Sequence, residues 1–148
     1  MKEIEIVFPN KGVKAIAVML DKEAPNICKA IWDILPIRGQ AYHATYSGEE
    51  IYTLLSPDFQ IEMENRTSCV LPGDVAYYWD KGERMMVQKE DFSEIAIYYG
   101  RFCRAMEPDG PVSVPIFARI HTGLEELAKA CRELHTKGTD EIIIRKKE

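Results

Sequence analysis

No apolar run in these 148 residues approaches the ~20 residues that a bilayer-spanning helix requires, because Lys, Asp and Glu interrupt every candidate. A helical membrane anchor is therefore not expected. Positive charge is also in short supply: 19 Lys and Arg stand against 24 Asp and Glu, a formal net charge of -5. Nonspecific nucleic-acid binding depends on surplus cations that displace counterions, so nucleic acid is not an expected partner. The four cysteines, Cys28, Cys69, Cys103 and Cys131, show no CxxC spacing; neither a zinc knuckle nor a redox pair is suggested, and all four are read as reduced. The three histidines lack HxH or HxxxH spacing, so no metal site is expected, and no cofactor is implied. P-loop, GxGxxG and GxSxG motifs are missing as well. The start, Met1-Lys2-Glu3-Ile4-Glu5, alternates charge with apolar residues where a signal peptide would carry an apolar block. A cytoplasmic protein is the expectation.

What is present is the composition of one globular domain, with 46% hydrophobic and 29% charged residues and a length that allows one continuous core. Ile4, Ile6 and Phe8 alternate with charged neighbours, Pro9-Asn10-Lys11-Gly12 supplies a turn, and residues 13–20 form a second extended run with apolar residues on both sides. That pattern predicts a hairpin whose second strand is buried on both faces. Pro25 opens a helix carrying Ile27, Cys28, Ile31, Ile34 and Leu35, and Pro36 stops it. Strands are then predicted over 40–47 and 49–55, turning at Ser47-Gly48, with a weak alternation over 59–64. Pro72-Gly73-Asp74 launches an aromatic strand over 75–79, a charged exposed loop follows over 80–91, and further strands cover 95–99 and 114–121. Thr122 and Glu125 have capping-box spacing ahead of a helix with Leu124, Leu127, Ala128, Cys131 and Leu134 on one face. Gly138 permits a break before a closing strand at Ile142-Ile143-Ile144. About eight short strands, mostly consecutive, favour antiparallel pairing, and closing them into a barrel removes exposed edges. The expected fold is mainly β: a closed, mostly antiparallel β-barrel of about eight strands with two helices flanking or plugging it.

The order of several short motifs carries a resemblance. Glu23-Ala24-Pro25 leads into the helix that ends Ile34-Leu35-Pro36-Ile37; then come His43-Ala44, Tyr46-Ser47-Gly48-Glu49-Glu50 and Glu64-Asn65. Pro72-Gly73-Asp74-Val75, Tyr99-Gly100, Phe117-Ala118-Arg119-Ile120 and Gly123-Leu124-Glu125-Glu126-Leu127 complete the series. Together they span most of the chain, which resembles a group of small uncharacterised bacterial and archaeal proteins with a cyclophilin-like fold. The resemblance implies a cyclophilin-like barrel and no particular activity. True cyclophilins are peptidyl-prolyl isomerases with an arginine on the strand after the first helix and a strand bearing a Phe-Phe pair. Here the first strand offers His43, Thr45 and Tyr46, with Arg38 before it, and the second reads Ile95-Ala96-Ile97-Tyr98-Tyr99. Both departures speak against isomerase chemistry.

Candidate site residues follow from residue type. His43, near Glu49 and Glu50 across a tight hairpin, has the make-up of an acid–base pair, with His43 and Glu50 as catalytic candidates; a structural polar contact is the simpler reading. Arg101, Arg104 and Arg119 sit on or near strand ends, where they either converge on a carboxylate or phosphate or remain ordinary solvated side chains. Tyr46, Tyr78, Tyr99 and Phe117 are candidates to line a ligand pocket, with core filling as the alternative for many of the aromatics. Three functions compete: a barrel that binds a small molecule or short peptide, an isomerase-like, lyase or hydrolase enzyme with His43 as base, and an interaction module that forms homo-oligomers.

Overall fold

A computed structural model describes residues 1–82 and 90–148; most of the charged loop expected over 80–91 lies outside the described residues. Strands β1 (Glu3–Phe8) and β2 (Val13–Met19) form the expected hairpin around a single turn of 3-10 helix at Pro9–Lys11. Helix α1 (Pro25–Ile34) precedes β3 (Ile37–His43) and β4 (Gly48–Leu55). After the two-residue β5 (Arg66–Thr67) come β6 (Asp74–Asp80) and the long β7 (Phe92–Cys103). A small hairpin of β8 (Met106–Glu107) and β9 (Gly110–Pro111) leads to β10 (Val114–Thr122), α2 (Leu124–Lys137) and β11 (Asp140–Lys146).

Eight strands run in the order β2-β1-β11-β3-β4-β7-β6-β10, every pairing antiparallel, and β10 pairs back onto β2 to close the barrel. Strand alternation sends Ile4, Ile6, Phe8, Ala15, Ala17, Ile51, Val75, Tyr77, Ile95, Ile97 and Phe117 into one core. Both helices add their apolar faces to it, through Ile27, Cys28 and Ile31 of α1 and Leu127, Ala128, Cys131 and Leu134 of α2. They occupy opposite ends: Trp32 of α1 lies under Lys2 and Lys146, whereas α2 begins against Lys14 and Ala15 and is tied to Lys11 through Glu133. A second apolar cluster forms outside the barrel, where Ala76, Tyr78, Ala96, Tyr98 and Ile116 on β6, β7 and β10 are covered by Val70 and Ala105.

Three expectations need correction. Only one face of β2 is fully buried: Ala15, Ala17 and Met19 point into the core, whereas Ile16 and Val18 alternate to the outer side and are only partly buried. Residues 59–64 are not a strand. Their backbone is instead satisfied by side chains of β6, since the Tyr77 hydroxyl donates to the Phe59 carbonyl at 2.6 Å and accepts from Ile61 N–H at 2.9 Å, while Trp79 Nε1 donates to the Ile61 carbonyl at 2.8 Å. Thr122 caps no helix, because it is the last residue of β10, still paired with Ile16, and its hydroxyl meets His121 Nδ1 at 2.8 Å. The strand-to-helix turn is made by Gly123 at φ 82°. Helix α1 has no capping side chain of its own; the distant Glu64 carboxylate accepts from the N–H groups of Asn26 and Ile27, each at 2.9 Å.

Gly123 admits no side chain on two counts. Its φ is left-handed, and a Cβ there would stand 2.5 Å from the Lys14 carbonyl oxygen on a strand that cannot yield without opening the barrel seam. Gly123→Ala is expected to destabilise the fold by about 2 kcal/mol or more, a fall in Tm of about 5 °C or more measurable by calorimetry.

Candidate functional site

The β4–β7 register places Glu50 opposite Tyr98, Tyr52 opposite Ala96 and Leu54 opposite Glu94. Paired residues share a face, so these side chains point away from the core that Ile51, Ile95 and Ile97 fill. The hairpin β8–β9 stands over this outer face. Its anchor is Ser47, whose hydroxyl donates to the Met106 carbonyl at 2.9 Å and accepts from Met106 N–H at 3.3 Å, while its carbonyl takes Arg104 N–H at 3.0 Å. Sheet and hairpin flank a cleft of about 410 Å³, open to solvent on one side, with Tyr46, Tyr52, Phe92 and Met106 among its walls and Glu50, Glu94 and Glu107 in its lining. Tyr52 stacks on Tyr42 with ring centroids 5.6 Å apart, and Tyr42, Tyr46 and Leu54 are exposed beside the mouth.

The three carboxyls are unusual in charge state. Burial pushes Glu50 up to about 8, moderated by a hydrogen bond with Tyr98 and reinforced by the nearby Glu107. Burial likewise raises Glu107 to about 7, with Asp80 and Asp109 adding to the effect. Glu94 is raised well above its ordinary value, first by burial and then by Glu50 and Glu107. A low-polarity enclosure disfavours a lone carboxylate, and each carboxylate disfavours its neighbour. Around neutral pH the group is therefore partly protonated, able to donate hydrogen bonds or, with a cation present, to ionise.

A second hollow, of about 310 Å³, lies at the barrel end under α2 and is lined by His43, Glu49, Tyr99, Arg132 and His135. His43 Nδ1 lies 2.9 Å from the Ala44 carbonyl, which can only accept, so Nδ1 carries the proton of the neutral ring. Nε2 then accepts from the Tyr99 hydroxyl at 2.7 Å. His135 Nδ1 stands 3.2 Å from His43 Nδ1. Burial lowers the His43 pKa, and burial pushes Tyr99 up to about 12, so both are held neutral. Arg132 lies over the Tyr99 ring and donates to Glu49 at 3.0 Å. Gly100 leaves the room that the Glu49 carboxylate occupies; a Cβ there would collide with it.

The sequence-derived candidates thus separate. His43 pairs with Ile51 and faces the end hollow, whereas Glu50 faces the outer cavity, so these two do not form an acid–base pair; the carboxylate that acts on His43 is Glu49. Tyr46 lines the outer cavity and Tyr99 the end hollow. Phe117 is wholly buried in the barrel core, and Tyr78 is buried in the outer cluster with its hydroxyl 3.3 Å from Asp80. The three arginines do not converge: Arg101 lies over the Phe102 ring, Arg104 holds the Tyr46 carbonyl at 3.1 Å, and Arg119 pairs with Asp74 at 3.1 Å. Glu94, Glu107, Tyr52 and Arg132 escaped the sequence reading. Alternation along 92–98 sets Glu94 against Ile95, yet only the register brings it near Glu50. All four cysteines are free, and no helix among the described residues is long and apolar enough to cross a membrane.

Fold and cavities define a class: a closed, antiparallel eight-stranded barrel with two helices and an acidic pocket on its outer wall. Residues 6–145 match the model of a family described as a protein of unknown function, DUF3830, and the chain belongs to that family. Two solved structures share the fold. McbB, solved in complex with tryptophan, aligns with TM-score 0.71 and 20% identity over 97% of this chain, which spans only 44% of McbB. The solution structure of the hypothetical protein AF2241 from Archaeoglobus fulgidus aligns with TM-score 0.61 and 20% identity over 99% of this chain and 95% of that one. No curated protein matches the sequence.

The raised carboxyls make stability depend on pH with a definite sign. The folded state holds these protons more tightly than an unfolded chain, whose glutamates titrate near 4.5. Their stabilising contribution is fully present below that value and is lost as pH rises through about 7 for Glu107 and about 8 for Glu50. The Tm of the ligand-free protein is therefore expected to fall between about pH 5 and pH 8.5. Glu50→Gln, which keeps a partner for Tyr98 without a charge, is expected to flatten that fall and raise the Tm at the alkaline end.

Proposed function

We propose that this protein is a cyclophilin-like barrel that binds a small molecule or a short peptide segment in the outer cavity between β4, β7 and the β8–β9 hairpin. The observation that carries the reading is the cavity itself: about 410 Å³, with aromatic walls and a few convergent polar groups. That volume falls in the range of small-ligand sites, and the mixture of apolar wall and sparse polar lining is what such sites use for affinity and orientation. The exposed Tyr42, Tyr46 and Leu54 beside the mouth extend the apolar surface that a ligand would cover. A thermal-shift screen of fragments and short peptides tests it. Binders are expected to raise the Tm, and Tyr52→Ala is expected to weaken them by about tenfold through loss of aromatic contact. Failure of every compound to act at the cavity would dismiss the reading.

A second reading, acid–base chemistry on a small acidic metabolite or a prolyl peptide, draws on the end hollow. There a neutral His43 is held by the Tyr99 hydroxyl, with Arg132 as the cation nearby. A proline-isomerisation assay and a screen of small carboxylic acids, each run beside His43→Ala, are the checks. Activity that persists in the variant would remove His43 as the base.

A further inference from the structure

We infer that the surface ridge at the C-terminal end of β7, around Phe102 and Leu71, docks an acidic peptide segment of another protein. This surface is separate from the outer cavity, and its role does not depend on what that cavity binds.

Phe102 is 71% exposed and Leu71 59%, the most exposed large apolar side chains among the described residues after Met1. They lie on adjacent segments. Gly73 N–H donates to the Tyr98 carbonyl at 2.7 Å and Cys103 Sγ approaches the Val70 carbonyl at 3.9 Å, so residues 70–73 run antiparallel beside 98–103. Both exposed side chains stand on a backbone that is held in place. Glu49 accepts from Phe102 N–H at 3.2 Å, and Asp74 accepts from Leu71 N–H at 2.9 Å. Gly48, at φ 70°, lets β4 close against the Phe102 carbonyl. Apolar groups fixed on the surface before a partner arrives lower the ordering cost of binding it.

Charge selects the kind of partner. The stretches 65–73 and 95–106 contain no Asp or Glu, in a chain of net charge -5, and they carry Arg66, Arg101 and Arg104. All three arginines are exposed, and none forms an ion pair among the described residues. Arg66 spends one donor on Ser113 Oγ at 2.9 Å and Arg104 one on the Tyr46 carbonyl at 3.1 Å. Arg101 lies over the Phe102 ring at 5.5 Å, and its N–H donors meet no acceptor among the described residues. The two carboxylates that hold the ridge are already paired, Glu49 with Arg132 at 3.0 Å and Asp74 with Arg119 at 3.1 Å, so they do not offset the three free cations. Those cations follow the chain and do not meet at one point, which suits an extended segment with several carboxylates better than a single small anion. A bilayer fits less well. It would face a wide area of a net-acidic protein, whereas a short peptide at physiological salt senses charges within about 8 Å.

The test is an amide NMR titration of isotope-labelled full-length protein with three short peptides that alternate Leu with Glu, Gln or Lys. The Glu peptide is expected to shift amides of Leu71, Arg101 and Phe102 while leaving Tyr52 and Phe92 of the outer cavity unmoved. It is expected to bind about tenfold or more tighter than the Gln peptide, with the Lys peptide weaker still, and to lose most of that preference between about 50 mM and about 500 mM salt. Phe102→Ala is expected to weaken the Glu and Gln peptides alike by about tenfold. Arg101→Gln, at a side chain that makes no hydrogen bond in the fold, is expected to weaken the Glu peptide alone. Equal binding of the Glu and Gln peptides would overturn the acidic partner. Shifts confined to Tyr52 and Phe92 would move the peptide to the outer cavity and overturn the ridge. Ridge shifts on concentrating the protein alone would replace the peptide by a second copy of this chain. Sedimentation with phosphatidylserine vesicles, abolished by Phe102→Ala while no peptide binds, would replace it by a membrane. Absence of ridge shifts from all three peptides would dismiss the surface and leave the ligand pocket untouched.

Discussion

The ladder between β2 and β10 is the constraint on which the rest of the molecule depends. Without it the eight strands are an open sheet whose two faces are interchangeable in principle; with it, every strand has an inside and an outside. Once Ile51 and Ile97 are committed to the lumen, Glu50 and Tyr98 must face outward, and a slip of one residue would drive carboxyls into the apolar interior. The seam is also where Gly123 turns the chain from β10 into α2, so closure of the barrel and placement of the helix that roofs the end hollow are one event.

The outer wall is uneven, and its unevenness makes the site. Over β6, β7 and β10 it is sealed by a second apolar cluster that includes Tyr78, Ala96, Tyr98 and Ile116. Toward β4 the covering layer thins to the small β8–β9 hairpin held by Ser47, and the cavity lies beneath it. Glu50 and Glu94 therefore stand at the border between dry packing and an open pocket. That is where burial raises their pKa values without removing them from reach of a ligand.

Glu49 and Glu50 are neighbours in sequence with different fates. One joins Arg132 and lies near His43 at the barrel end, and the other joins Tyr98 on the outer wall. The period-two geometry of a strand is enough to explain the split, and it separates the two hollows by little more than the thickness of β4. The end hollow holds its polar groups in mutual hydrogen bonds, His43 to Tyr99 and Arg132 to Glu49, whereas the outer cavity is lined by carboxyls whose ionisation burial opposes.

Local pattern alone determined the mainly β class, the β1–β2 hairpin, both helices and the apolar helix faces that carry Cys28 and Cys131, because each follows from hydrophobic periodicity and turn residues within a short window. Tertiary structure decided everything that depends on strand register and on contacts distant in sequence. Glu64 caps a helix 38 residues away, Tyr77 and Trp79 hold a segment that resembles a strand, and Thr122 stays in the sheet where a capping box was expected. The same is true of the site. Phe117 went to the core, the arginines went to three separate partners, and Glu50, Glu94 and Glu107 met in one cavity. The type of a residue reveals what it is able to do, but which groups share a pocket is set by strand pairing across tens of residues, a property that no short window of sequence contains.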